Sequence, residues 1–551
     1  MGPSRAGRYA SRMNPRVPPA GESASTPSPP PPLVHRRSFL GGIATASAAA
    51  VALPLLDTPS ARAADGYAPI PYPATPVATK AELHVIRRWT YGFQSAALAA
   101  VRAAGGPREW LEAQLTPEDV AESPKVAALD SWWRCITSTP DQIVARDRSG
   151  EEEGWHAMAA YAAYALVRRQ ESNRQVLELM TEFWEDHFYI PIHDDGVFPF
   201  RISFGHRMRE LALSSFEELL QAATVHPAMG CSLDNARSTK RSVNENLGRE
   251  LLELHTVGKG AGYSENDVKA SARLLTGYRV DMWTTWESFY DPTWHDTQPV
   301  KVMGFSHANA SADGRPAVRQ YLSYLARHPS TAQRIARKLA RRFVSDSPST
   351  RLVDHLAATY LRNDTRIAPV LRALFDHDEF WASAGAKVKT PTDELVSMNR
   401  ALGVSFGKPT SRDTGALHAH YMAGGIGAAP WSHPRPDGPP LDNDAWNTPS
   451  RFLASWDAHW TLAGGWWPTK DTTHVPPAAR LPKAQLTLGE FVDHLSRQLT
   501  GVASTESLLR AICTATQLSP ATVVTAQHSI VRWQMPWVLA LVLNQPLFYL
   551  R

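Results

Sequence analysis

The stretch Asn244-Glu245-Asn246-Leu247-Gly248-Arg249-Glu250-Leu251-Leu252-Glu253-Leu254-His255-Thr256, preceded by Leu233-Asp234-Asn235, holds the densest set of residues able to do chemistry. On a helix, Leu247, Leu251 and Leu254 form one stripe, and Asn246, Glu250 and Glu253 form a second beside it at i, i+4 and i+7. His255 falls one turn after Leu251. Carboxylates and an imidazole beside a buried face have shifted pKa values and can serve as acid, base or metal ligand. Glu250, Glu253 and His255 are therefore catalytic candidates, and Asn244, Asn246 and Arg249 are candidates for holding a substrate. The competing reading is a charge ladder. Glu245, Arg249 and Glu253 follow one another at i, i+4, which supports an exposed helix without chemistry.

A second cluster is Met180-Thr181-Glu182-Phe183-Trp184-Glu185-Asp186-His187-Phe188. His187 continues the stripe of Val176, Met180 and Phe183, so it points inward and is a fourth catalytic candidate. An inward histidine is more often a hydrogen-bonded core residue than a ligand. Its chemistry depends on meeting Glu250, Glu253 or His255 in space. A set such as His187, Glu250 and His255 would suit zinc or another divalent transition metal, so a divalent metal is the cofactor to look for. There is no His-Glu-x-x-His pair, no Gly-x-Ser-x-Gly, no Walker-type loop and no GxGxxG.

Weaker features surround these. Arg334, Arg337, Lys338, Arg341 and Arg342 ring the apolar stripe Ile335, Leu339 and Phe343, and read as a solvated basic face paired with acids. His295-Asp296 and Asp442-Asn443-Asp444 lack calcium-loop spacing and read as loop caps. The tryptophans between 404 and 480 could stack on sugar rings, with core filling the simpler role.

The elements that must carry these residues are mostly helices. Periodicity predicts helices over 155–167, 174–189, 216–224, 243–256, 332–344, 350–361, 367–377 and 392–402. Ser264 to Asp267 is a capping start signal, and Gly277 a stop. The stretch 278–317 breaks the period and suits a hairpin or ordered loop. The fold class is mainly α: a large multi-helix globular unit with little β structure and a Gly-, Pro- and Trp-rich ordered loop region. The expected order is a signal peptide over 1–63, a Pro-rich lead-in over 64–79, a main helical region over 80–403, the loop region over 404–480, and C-terminal helices over 481–551 packing on the main region.

Residues 1–63 read as an address. A basic n-region leads to His35-Arg36-Arg37-Ser38-Phe39-Leu40, a weakly apolar run to Leu56, and Ala61-Arg62-Ala63. The paired arginines resemble the twin-arginine class, which implies a translocase partner during export and a secreted or cell-envelope destination. The run is too poor in lipophilic residues for a stable span, and no membrane span is expected once the signal is gone. Removing 1–63 takes away seven Arg and two acids, which leaves 50 basic and 51 acidic residues. A basic field for nucleic acid is therefore absent. Three widely spaced cysteines allow no disulfide framework and no Cys-based zinc site.

Several of these motifs are similar to those of the bacterial DUF1800 family, a domain of unknown function. The match runs from Leu83-His84-Val85-Ile86-Arg87-Arg88-Trp89-Thr90-Tyr91-Gly92-Phe93 through Trp184-Glu185-Asp186-His187-Phe188 and Asn244 to Gly258. It continues through Gly262-Tyr263, Leu275-Thr276-Gly277-Tyr278, Lys338 to Val344 and Lys387-Val388-Lys389-Thr390-Pro391. Gly248 departs from the family pattern, where a larger residue such as Ala is expected, and a glycine there permits close packing. The resemblance implies an exported, mainly helical protein and names the motif residues as the candidate site. It supplies no reaction. The leading expectation is a metal-assisted hydrolase of an envelope or environmental polymer. The alternatives are a non-catalytic envelope protein that binds a partner or glycan, and an exported cofactor-bound redox protein.

Overall fold

Helix starts follow the capping chemistry of the sequence. Thr79 with Glu82, Ser215 with Glu218, Ser264 with Asp267 and Thr390 with Asp393 each form a reciprocal capping box. Our computed structural model describes residues 67–551, so the proposed signal over 1–63 lies outside the described residues. The described chain is mainly α, and its few strands pair as four two-stranded antiparallel sheets. No helix among the described residues is long and apolar enough to cross a membrane. Cys135, Cys231 and Cys513 are free and buried.

The described chain divides into two compact units. One comprises 67–75, 477–496 and 503–542; the other comprises 76–476, 497–502 and 543–551. The segment 481–551, expected to act as one region, is thus shared between them. The second unit carries every candidate residue.

Seven helices of that unit position the candidate residues: α1 (Gly154–Glu171), α2 (Gln175–His187), α3 (Arg201–Leu211), α4 (Asn246–Glu250), α5 (Glu265–Leu274), α6 (Pro329–Phe343) and α7 (Pro391–Leu402). α1 is buried on nearly every face, as its Ala-rich and aromatic composition requires. Val176, Met180 and Phe183 seat α2 in the core, and His187 ends the same stripe. Ile335, Leu339 and Phe343 do the same for α6.

α4 does not continue as a plain α-helix. It passes into a π turn, Leu251–His255, whose wider winding carries His255 inward at 2% exposure. Such turns recur at functional sites. α4 lies directly on α5. A Cβ at Gly248 would meet the Ala272 backbone nitrogen at 2.6 Å, and Ser271 Oγ donates to the Gly248 carbonyl at 3.2 Å. The glycine that departs from the family pattern is what permits this approach.

The aperiodic stretch after α5 folds into two short hairpins. β1 (Tyr278–Val280) pairs with β2 (Ser288–Tyr290), and β3 (Val300–Val302) pairs with β4 (Phe305–His307). His295 and Asp296 fasten the connection between them. The imidazole meets the Thr276 carbonyl and Asn309 Oδ1, and Asp296 Oδ1 accepts from the Gln298 amide. The region 404–480 is less loop-like than its composition indicates, because it contains the helices Gly415–Ile426 and Pro449–Ala463. The first packs on α1. Between them the chain runs across the end of α2. Trp431, 3% exposed, stacks on Tyr161 and takes the Arg201 guanidinium over its ring at 4.4 Å. Gly438, at φ 75°, brings its backbone so close to the Asp186 carbonyl that a side chain there would collide.

Candidate functional site

The C-terminal end of α2 and the π turn after α4 meet through their histidines. The His187 and His255 rings lie 6.2 Å apart between centroids, with Phe188 and Phe216 packed around them. His187 Nε2 sits 3.0 Å from the His255 carbonyl oxygen. A carbonyl can only accept, so Nε2 carries the proton and Nδ1 presents its lone pair. That lone pair accepts from Lys338 Nζ at 3.0 Å. Burial and the neighbouring Lys338 cation hold the His187 imidazole well below its usual pKa, so it stays neutral. Burial, Lys338 and Arg334 push His255 down to about 3.

Lys338 was read from sequence as part of a solvated basic face. The structure corrects that reading, because of the helix's charged residues only Arg337 is fully exposed. Arg334 donates to the Leu254 carbonyl at 3.0 Å, Arg341 pairs with Asp442, and Arg342 pairs with Glu182 and Asp393. The half-buried Lys338 amine is pushed down to about 7 by burial and by Arg334, against the pull of Asp186 and Asp437. It is therefore a base near neutral pH, oriented by an imidazole that is itself fixed by a main-chain carbonyl. It opens one of the family-like segments, Lys338 to Val344, but nothing in that segment marked it as a base. The signal that could have found it is its place one turn before the inward-facing Arg342 and beside the Leu339 stripe.

Asp186 follows the same pattern with opposite sign. Burial and the nearby Glu182 raise its carboxyl to about 8. Glu250 is half-buried, and burial followed by the Glu253 charge raises its carboxyl above the usual range. Asp437, supplied by the Trp-rich region, acts electrostatically on both Lys338 and Glu250. Those three side chains therefore lie within range of one another's charge.

The remaining candidates have local partners. Glu253 sits between Arg249 at 3.8 Å and Lys259 at 3.5 Å. Arg249 also reaches Glu245 at 3.5 Å and Glu265 at 2.7 Å, so the charge ladder exists and extends to α5. Asn244 Oδ1 accepts from the Asn246 amide at 2.8 Å, which makes it a start signal for α4. Asn246 stands partly exposed on the first turn of that helix. Among the described residues no group of three or more His, Cys, Asp or Glu side chains is placed to hold a metal ion. The candidate ligands His187, Glu250 and His255 do not form such a group. Both His187 nitrogens already face protein groups, the His255 carbonyl and Lys338 Nζ.

Along α2 lies a network that sequence reading did not foresee. Glu178, Glu182 and Glu185 line one face of α2 at i, i+4 and i+7, and all are buried. Glu178 takes Arg168 and Arg209; Glu182 takes Arg169, Arg342 and the Tyr91 hydroxyl; Glu185 takes Arg201 and the Tyr161 hydroxyl. Asp393 on α7 extends it by pairing with Arg342 and with Arg551. These pairs fix the azimuth of α2 and hence where His187 points.

Asp442-Asn443-Asp444 serves as a fastening. Asp442 pairs with Arg341, and Asn443 bonds the Val388 amide and the Asp346 carboxylate.

Comparison with known proteins agrees with the motif reading. No curated protein and no solved structure matches the chain. The family described as "Protein of unknown function (DUF1800)" matches residues 84–550, which takes in α1 to α7 and every candidate residue. The chain belongs to the DUF1800 family.

Proposed function

We propose that the chain is an exported hydrolytic enzyme that works by acid–base chemistry, with Lys338 as base and Glu250 as acid. The observation that carries this reading is the relay from the His255 carbonyl through His187 to Lys338 Nζ, with 3.0 Å at each step. A lysine so held presents a neutral amine in a fixed direction, on a side chain that is only half-buried as a whole. The neutral amine removes a proton from water as the water oxygen attacks the substrate. Glu250, whose carboxyl burial and Glu253 raise above the usual range, gives a proton to the leaving group, and exchange with solvent restores both. His187 and His255 are positioning residues, since neither imidazole reaches solvent. The basic n-region and paired arginines support export, and an envelope or environmental polymer is the substrate class that fits that destination.

The test is an assay of the chain lacking 1–63 against a panel of cell-wall and exopolymeric substrates. Lys338→Met is expected to lower turnover by at least a hundredfold with folding retained, as loss of a general base does. Lys483→Met, which alters an exposed pair with Glu490, should leave it unchanged. A folded Lys338→Met protein with full turnover would overturn the assignment.

A further inference from the structure

The smaller of the two units exposes apolar side chains on two adjoining elements. Its strands Gln485–Thr487 and Val523–Thr525 pair antiparallel, with Thr487 opposite Val523. The strand Val523–Thr525 lies against a π turn, Ile530–Gln534. Alternation along the strand buries Val524 completely and turns Val523 outward at 48% exposure. The π turn buries Ile530 and Val531 and leaves Trp533 at 64%, the most exposed large apolar side chain among the described residues. The exposed Arg532 carries its guanidinium over the Trp533 ring, 5.7 Å from the centroid. Single exposed apolar residues are ordinary on a protein surface. A valine and a tryptophan on touching elements, with an arginine stacked on the indole, are a patch.

Charge decides what covers it. From Ser507 to Val542 the chain has no Asp or Glu. The three acids of this unit lie earlier, and none is left open: Asp493 is 1% exposed, Glu490 is held by Lys483 at 3.1 Å, and Glu506 by Arg510. Arg532 is therefore the uncompensated charge of the patch, and it is positive. A second copy docking on the same face would set Arg532 against its own counterpart, because a two-fold contact pairs each patch with itself. An anionic surface meets no such opposition. Tryptophan, with an apolar ring and one N–H, suits the boundary between water and lipid, where arginine also reaches phosphates. We propose that this face docks the protein peripherally on an anionic phospholipid surface, with Trp533 and Val523 among the headgroups and Arg532 on their phosphates. The proposal goes beyond the hydrolytic reading and does not rest on it.

Co-sedimentation with vesicles tests it, using the chain lacking 1–63 so that the apolar run of the proposed signal takes no part. Vesicles of equal parts phosphatidylglycerol and phosphatidylcholine are expected to bind about fivefold more tightly than phosphatidylcholine alone, the effect of one arginine at an anionic surface. Trp533→Ala should weaken binding to the mixed vesicles by about tenfold or more, and Arg532→Gln should remove the preference between the two lipids. Trp466→Ala, which deletes a 52% exposed indole from the other unit, should change nothing. No binding to the mixed vesicles, equal binding to the two lipids, binding unaltered in Trp533→Ala, or an equal loss in Trp466→Ala would overturn the proposal. So would a dimer seen by sedimentation velocity without lipid and abolished by Trp533→Ala, which would give the face to a second copy.

Discussion

Lys338 and His187 are separated by 151 positions in sequence and joined by a 3.0 Å hydrogen bond, in which the lysine donates to the one imidazole nitrogen left as a lone pair. The direction of that bond is dictated by the His255 carbonyl on the other side of the ring. Each group thus has one role, and of the three residues only Lys338 is not fully buried.

The buried histidines set the acid stability. Burial pushes His84 and His420 down to about 4, and His226 and His255 down to about 3. The unfolded chain protonates these rings as pH falls through 6.5, whereas the folded chain does not until well below. Their contribution is therefore complete above about 6.5 and is lost progressively toward 4, at up to about 1.4 kcal/mol per pH unit for each ring. Asp186 and Glu250, both raised, work in the other direction, but they are fewer. Melting scans should show Tm falling steadily between pH 6.5 and 4.5, and a level profile there would contradict the burial of these rings.

The acid–arginine network should be the most sensitive part of the core. Glu182→Gln leaves the charges of Arg169 and Arg342 buried with less compensation, and about 3–5 kcal/mol of stability is expected to be lost in denaturant titration. Glu506→Gln, in an exposed pair with Arg510, should change stability by less than about 1 kcal/mol. Similar losses for the two variants would mean that the network does not hold α2.

Gly248 gives a prediction against propensity. Alanine favours a helix over glycine by about 1 kcal/mol. Here its Cβ would press on the Ala272 backbone at 2.6 Å, and overpacking costs about 1–3 kcal/mol. Gly248→Ala should therefore lower Tm, and a raised Tm would show that α4 and α5 have room to separate.

Much of the fold was legible because helices announce themselves locally. The Ser264 capping box, the apolar stripe of α6 and the aperiodic stretch that became two hairpins all follow from neighbours in sequence. The sequence could pose the meeting of His187 with His255 only as a condition, because the two lie on separate segments that coordinates alone bring together. Lys338 was missed because a basic helix looks the same whether its cations meet water or buried acids. Glu182 and Glu185 were missed for the mirror reason, since their arginine partners lie on three other helices. The two helices within 404–480 were masked by the Gly and Pro content around them.

Competitive trace labelling of amines with acetic anhydride, followed residue by residue in mass spectra from pH 5 to 11, measures the base directly. The account predicts that Lys338 becomes reactive with a midpoint near 7, and that His187→Leu alters this midpoint while leaving exposed lysines such as Lys259 unmoved. A Lys338 midpoint near the ordinary lysine value of about 10.4 would contradict it.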